Sequence, residues 1–92
     1  MATTFEVLVE KQRATNEAQA RASELRDQYG PPTVTPWTRQ QSDMYETAIR
    51  AWRDLERDLQ GEMTEYAKEH GRIRGEVEQE VSAHAGKPTQ GA

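Results

Sequence analysis

The chain has 92 residues and a net charge of −4, with 34% hydrophobic residues, 30% charged residues and a mean hydropathy of −1.04. It is therefore one small domain, too polar for an all-round core but suited to amphipathic helices that each bury a single stripe. Its basic residues are spread evenly and form no cluster of the kind that binds a phosphate backbone, which argues against a nucleic-acid partner.

The first predicted helix runs from about residue 4 to residue 29. Thr3 or Thr4 can cap its start, because a threonine oxygen accepts a bond from the first turn. The residues of its apolar face are Phe5, Leu8, Thr15, Ala18, Ala22, Leu25 and Tyr29, close to a spacing of three and four. The alanine-sized middle of this face buries little area, so the helix is predicted to depend on a neighbouring helix.

A turn is predicted at residues 30–35. Gly30 suits the position after a helix, and Pro31 and Pro32 forbid its continuation. Thr35 suits an N-cap and Pro36 a first helical position, so the second helix is expected to begin there. A connection of about six residues normally joins antiparallel neighbours, which predicts an all-α fold based on an antiparallel helical hairpin.

The second predicted helix is the longer one and spans about residues 36–84. Its large residues Trp37, Tyr45, Trp52 and Leu59 recur at intervals of eight, seven and seven, which places them on one stripe. Gly71 and Gly75 make a break at 71–75 an open alternative. A continuous helix would overhang the first one. Residues 1–84 thus form a single predicted domain, followed by a disordered tail at 85–92.

The two tryptophans either fill an intramolecular core or anchor an intermolecular interface. One hairpin cannot enclose both rings, since each aromatic presents about 150–250 Å². We therefore predict that two hairpins pair into a four-helix bundle, and that Trp52→Ala destabilises the protein by ~3–5 kcal/mol. The candidate interface residues are Phe5, Leu8, Leu25, Tyr29, Trp37, Tyr45, Trp52, Leu55, Leu59, Met63 and Tyr66.

Catalytic, metal and cofactor sites are not expected. His70 and His84 lack the glutamate three residues earlier that di-metal bundles use, because Ala67 and Val81 stand there. Cysteine is absent, and no catalytic triad, phosphate loop or dinucleotide fingerprint is present. Three arginines in the middle of helix 2, Arg50, Arg53 and Arg57, form either a recognition patch or part of a solvated helix face.

The N-terminal segment has neither a basic lead nor a long apolar run, so it does not resemble a classical signal peptide. No stretch approaches the ~20 apolar residues of a membrane-spanning helix. We expect a cytoplasmic protein, or one that is secreted by a route independent of classical signal peptides.

Residues 37–59 resemble the WXG family of type VII secretion substrates, the early-secreted-antigen-like helical hairpins. Members are chains of about this length with a tryptophan near the turn and an aromatic residue commonly eight positions later, as Trp37 and Tyr45 are here. The chain differs from the family at two motifs. Arg39 stands where the name-giving glycine follows the tryptophan, and His70 replaces the acidic residue four positions after Tyr66.

The resemblance implies a bacterial, non-enzymatic interaction protein that pairs with itself or with a paralogous helical hairpin. It also implies a secretion ATPase or a larger assembly as a further partner. The alternative is a cytoplasmic coiled-coil adaptor or assembly subunit that docks through the overhanging C-terminal part of helix 2.

Overall fold

The computed structural model describes residues 3–86, and within them the protein is all-α. Three helices follow one another: α1 (Phe5–Tyr29), α2 (Arg39–His70) and α3 (Arg74–Ala85). At 1.5 Å per residue the 32 residues of α2 span about 48 Å, which accounts for the longest dimension of 50 Å. Within residues 3–86, none of the helices has both the length and the hydrophobicity needed to span a membrane.

α1 begins and ends with defined caps. The hydroxyl of Thr4 accepts a hydrogen bond of 3.2 Å from the backbone N–H of Val7, and Gly30 follows the last turn with a φ of 74°. That angle favours glycine, because a side chain there would clash with the backbone. The N–H of Gly30 donates to the carbonyl of Arg26 and satisfies one of the helix's terminal acceptors.

α2 begins later than the sequence predicts, because Thr38 rather than Thr35 is its N-cap. The Thr38 hydroxyl accepts from the N–H of Gln41, and the Gln41 side chain accepts from the N–H of Thr38. This capping box satisfies two terminal donors at once. The N–H of Thr35 instead bonds the carbonyl of Pro31 within the connecting turn. Trp37 consequently lies before the helix and not within its first turn.

α1 and α2 run in opposite directions along each other. Near the start of α1, Phe5 contacts Tyr66 with ring centroids 6.3 Å apart. Near its end, the hydroxyl of Tyr29 lies 3.5 Å from the sulfur of Met44. Between them, the ammonium group of Lys11 binds the carboxylate of Asp58.

The predicted second helix over residues 36–84 is in fact two helices. Gly71 ends α2 in the left-handed conformation, with φ 60° and ψ 36°. Its N–H donates to the carbonyl of Lys68, and the N–H of Arg72 donates to that of Ala67, the bonding pattern of a Schellman motif. The break falls inside the predicted 71–75 stretch. Residues 74–85 therefore form α3, and they fold back instead of overhanging α1.

α3 closes the main hydrophobic core against both longer helices. Val77 and Val81, one helical turn apart, are completely buried. They complete a core at the end of the molecule away from the 30–38 connection, which comprises Leu8, Val9, Leu59, Met63, Ala67, Val77 and Val81, with Phe5, Tyr66 and Ala85 packed around it. Of the predicted tail, Ala85 belongs to α3, and residues 87–92 lie outside the described part of the chain.

Candidate functional site

A chain of three aromatic rings links the end of α1, the connection and the start of α2. Tyr29 and Trp37 meet edge to face with ring centroids 5.4 Å apart, and Trp37 and Tyr45 do the same at 5.1 Å. The indole N–H of Trp37 donates a 2.7 Å hydrogen bond to the carbonyl of Gly30. Edge-to-face contacts of this kind stabilise by about 0.5–1.5 kcal/mol beyond area burial, so the three rings fix the loop against both helices.

The four-residue stripe predicted from Trp37 to Leu59 divides into two environments. Leu59 is 1% exposed and belongs to the core beneath α3. Tyr45 and Trp52 precede it by fourteen and seven residues, and thus lie on the same side of α2, but both are only partly buried. The side of α2 that α3 covers near Leu59 therefore continues, uncovered by α3, towards the connection.

This uncovered part also includes Ile49, a residue that the sequence did not single out. Ile49 lies one helical turn from Tyr45 and three residues before Trp52, and it is partly buried. Its i+4 spacing from Tyr45 is the signal that could have identified it. We call the partly buried set formed by Tyr29, Trp37, Tyr45, Ile49 and Trp52 the aromatic surface.

The remaining candidate interface residues are in different places. Four of them, Phe5, Leu8, Met63 and Tyr66, belong to or pack against the core that α3 covers. Leu25 is 3% exposed at the other end of the α1–α2 contact, and Leu55 is partly buried on α2. The structure thus brings Tyr29, Trp37 and Tyr45 into direct contact and assigns Phe5, Leu8, Leu59, Met63 and Tyr66 to an intramolecular core.

A row of exposed charged residues runs along α2 beside the aromatic surface. These residues line a shallow groove together with Tyr45 and Ile49, and we call them the charged row: Glu46, Arg50, Arg53, Asp54 and Arg57. None of the five takes part in an ion pair within residues 3–86, although Glu46 and Asp54 lie one turn from Arg50. Their charges are consequently available to a partner.

Two groups of ion pairs lie towards the other end of the molecule: Lys11 joins α1 to α2, and Arg72 joins the turn before α3 to α3. The guanidinium of Arg72 lies 2.9 Å from the carboxylate of Glu80 and 3.9 Å from that of Glu76. Its hydrogen bond lowers the pKa of Glu80, and the same bond raises the pKa of Arg72. On the opposite side, the hydrogen bond from Lys11 to Asp58 raises the pKa of Lys11.

The two histidines each pack against an aromatic ring. His70 stacks on Tyr66 with centroids 4.1 Å apart, and His84 meets Phe5 edge to face. Each Nδ1 atom lies near the carbonyl oxygen four residues earlier, at 3.0 Å for His70 and 2.9 Å for His84. Among residues 3–86 no group of three or more potential metal-ligating side chains comes together.

Comparison with known protein families, with curated proteins and with solved structures finds no significant match in any of the three.

Proposed function

We propose that this chain is a non-enzymatic helical-hairpin interaction protein that functions within a dimeric four-helix bundle, as the small type VII secretion substrates it resembles do. In this proposal α1 and α2 form the hairpin, and the partner is the protein itself or a related hairpin. The partner packs on the aromatic surface. α3 is an addition that completes the core at the opposite end.

One observation carries the proposal, namely the unequal burial of the two ends. The largest completely buried side chains are Leu8, Leu59, Met63, Val77 and Val81, all in the core that contains α3. The aromatic surface holds both tryptophans but lies beyond the cover of α3. Tryptophan and tyrosine dominate the energetics of protein interfaces because they desolvate a large area at a low cost in conformational entropy. A second hairpin would cover this surface as α3 covers the core.

The position of Trp37 supports the resemblance on which the biological role depends. The tryptophan precedes α2 and lies in the connection between the two helices, with Tyr45 in contact with it eight residues later. This is the arrangement that the WXG family has near its turn. Export by a type VII apparatus, and contact with its ATPase, are the parts of the proposal that follow from this resemblance alone.

The adaptor alternative needs a C-terminal arm that projects beyond α1. Residues 74–85 pack on α1 and α2 instead, with Val77 and Val81 completely buried. No observation within the described residues therefore favours docking through such an arm.

Light scattering over a series of protein concentrations tests the bundle. We expect a particle of twice the 10.5 kDa chain mass, and we expect Trp52→Ala to return it to a single chain. Ile73→Ala is the matched control, because Ile73 is also a large apolar residue but is 67% exposed in the turn before α3. A protein that neither self-associates nor captures a related hairpin from its native cells contradicts the proposal.

Export is tested separately in producing bacteria whose type VII apparatus is intact. We expect the protein in the culture supernatant, and its loss from the supernatant when the secretion ATPase is inactivated. Strict retention inside the cells would remove export from the proposal and leave the bundle unaffected.

A further inference from the structure

The core that α3 covers takes three large side chains from α2, at intervals of four and three residues. Leu59 and Met63 are each 1% exposed, and Tyr66 packs against the same core. The aromatic surface contains three large side chains with the same spacing, fourteen residues earlier on α2: Tyr45, Ile49 and Trp52. Over fourteen residues a straight helix drifts by only about 40°, so the two sets lie on nearly the same side of α2.

α1 lines the other side of this repeated pattern. Because α1 and α2 run in opposite directions, a step of fourteen residues back along α2 corresponds to a step of fourteen residues forward along α1. The counterparts of Leu8 and Val9, which belong to the covered core, are therefore Ala22 and Ser23. Ala22 is 3% exposed and Ser23 is partly buried. The smaller side chains leave room beside the aromatic rings for a partner's side chains.

We call this continuation of the α1–α2 groove the second groove, formed by Tyr45, Ile49 and Trp52 of α2 and by Ala22 and Ser23 of α1. Its centre lies ~21 Å along α2 from the groove that α3 fills, and a helix with its side chains is only ~10–12 Å wide. Both grooves can therefore be filled at the same time.

α3 shows how a helix lies in such a groove. At its start, Arg74 donates hydrogen bonds to Gln60 and Thr64 of α2. At its end, His84 contacts Phe5 of α1. α3 thus crosses from one long helix to the other and covers only part of their length. A second short helix placed in the same way would lie beside α3 without overlapping it.

The two grooves differ in the charge along their α2 edge. At the first groove, Arg74 of α3 meets two uncharged side chains, Gln60 and Thr64. At the second groove the charged row takes their place, and its arginines outnumber its carboxylates by three to two. Arg50 and Arg53 at this edge form no ion pair within residues 3–86. A helix that docks here would gain from carboxylates at the facing positions and would lose from an arginine.

We infer that the second groove binds a short amphipathic helix of a partner protein, which lies across α1 and α2 as α3 does. One face of this helix places apolar residues one turn apart against Trp52, and its edge carries carboxylates opposite Arg50 and Arg53. α3 of a second copy is not that helix, because it presents Arg74 at this edge and already fills its own groove. The inference rests on the proposed function and specifies which part of the partner covers the aromatic surface.

Two synthetic peptides serve as probes of the second groove. Both copy residues 73–86, and one of them carries Arg74→Glu. A hydrocarbon staple joins the exposed positions of Gln79 and Ala83, because an isolated helix of this length is marginally stable in water. Fluorescence anisotropy of each labelled peptide, titrated with the full-length protein at low salt, gives its dissociation constant. We expect the Arg74→Glu peptide to bind about fivefold more tightly.

Variants of the protein locate the binding site. Trp52→Ala should weaken the binding of both peptides by about tenfold or more. Arg50→Glu should remove or reverse the preference for the Arg74→Glu peptide. Lys68→Glu is the matched control, because Lys68 is an exposed basic residue of α2 that lies ~27 Å from Arg50 along the helix, and it should leave both dissociation constants unchanged. Circular dichroism shows whether each variant keeps its helices, and a change in preference alone is independent of any loss of stability.

Methyl NMR distinguishes the second groove from displacement of α3. The protein is isotopically labelled and the peptide is not, so only the signals of the protein are observed. Val77 and Val81 are completely buried beneath α3, and their methyl signals should keep their positions when the peptide is saturating. Movement of these signals to those of a released α3 would show that the peptide replaces α3, which overturns the inference.

The outcomes separate this inference from the proposed function. Tighter binding of the Arg74→Glu peptide that depends on both Trp52 and Arg50 supports the inference. Equal binding of the two peptides, or binding that survives Trp52→Ala, overturns it. If neither peptide binds but the chain self-associates or captures a related hairpin through Trp52, the short helix is overturned and the proposed function stands. A chain that neither self-associates nor captures a hairpin contradicts the proposed function, whereas the peptide titrations decide on the second groove in either case.

Discussion

Phe5 and His84 meet edge to face, with ring centroids 5.0 Å apart and ring planes inclined at 86°. The contact joins the first turn of α1 to the last turn of α3. Beside it, the guanidinium of Arg13 donates to the carbonyl of His84, and the amide of Asn16 donates to the carbonyl of Gly86, both at 3.3 Å. Carbonyls at the end of a helix lack partners within that helix. Side chains of α1 thus satisfy the C-terminal end of α3 and fix its position.

Leu59 and Trp52 should differ in their effect on the stability of a single chain. Leu59 is 1% exposed, so we expect Leu59→Ala to lower the free energy of unfolding by ~2–5 kcal/mol. Trp52 is only partly buried, so we expect Trp52→Ala to cost at most about 2 kcal/mol in the monomer, below the ~3–5 kcal/mol that the sequence predicts for a buried ring. Urea denaturation measures both losses when the protein concentration is low enough for the chain to be monomeric. A larger loss for Trp52→Ala would show that its ring is enclosed within one chain.

Two glycine-to-alanine substitutions should change the free energy of unfolding in opposite directions. Gly71 has a φ of 60°, so Gly71→Ala forces a side chain into the left-handed region, and we expect a loss of about 1–2 kcal/mol. Gly61 lies within α2, and an added Cβ would meet nothing within 4 Å. Gly61→Ala should therefore stabilise the protein by about 0.5–1 kcal/mol. Thermal or urea denaturation of the two variants compares them directly. A stabilising Gly71→Ala would contradict the turn that separates α2 from α3.

Alanine substitutions at two threonines test where α2 begins. Thr38→Ala removes the hydroxyl that accepts from Gln41, so we expect a loss of about 0.5–2 kcal/mol. Thr35→Ala is the control: Thr35 is exposed in the turn, and its N–H, which bonds Pro31, is retained in the variant. We expect no measurable change in its unfolding midpoint. The reverse order of effects would move the start of the helix back to the position predicted from the sequence.

Acidification should loosen α3 through Glu80. The bond from Arg72 lowers the pKa of this carboxyl, so its stabilising contribution is fully present above the ordinary glutamate pKa of about 4.3 and is lost as the pH falls through the lower pKa of the folded protein. Methyl NMR signals of Val77 and Val81 would report the loss, because both side chains are buried beneath α3.

Glu80→Gln is the matching variant for this titration. It should remove the Glu80 component from the methyl titration, because the variant has no carboxyl group at position 80. An identical acid titration in the wild type and in Glu80→Gln would exclude the Arg72–Glu80 pair as a pH-dependent contact.

The helical character of this chain follows directly from its sequence because the signals are local. Gly30 and the adjacent prolines end α1, and the 3–4 spacing of Phe5, Leu8 and Leu25 gives it one apolar face. The start of α2 was predicted at Thr35 and Pro36, but the cap is Thr38. Thr38 and Gln41 satisfy two backbone donors through reciprocal bonds, and this capping box fixes the start of the helix.

The aromatic surface could be predicted only in part, because the sequence does not show which residues another helix covers. Heptad spacing places Tyr45, Trp52 and Leu59 on one side of α2, but it carries no information about which helix covers each of them. Covering depends on contacts between residues far apart in sequence, such as those of α3 with Leu8 and Leu59. Ile49 and the charged row gain their significance only from the absence of α3 over that part of α2.

The sequence by itself determined that the protein is all-α, where the first helix ends, and that Tyr45, Trp52 and Leu59 lie on one side of the second helix. Propensity, capping and periodicity act within a few residues, so they can be read without coordinates. Tertiary structure alone decided that Gly71 reverses the chain and that α3 buries Val77 and Val81 against one end of α1 and α2. The position of α3 depends on packing between residues that are far apart in the sequence. As a result, Trp37, Tyr45 and Trp52 are only partly buried at the other end.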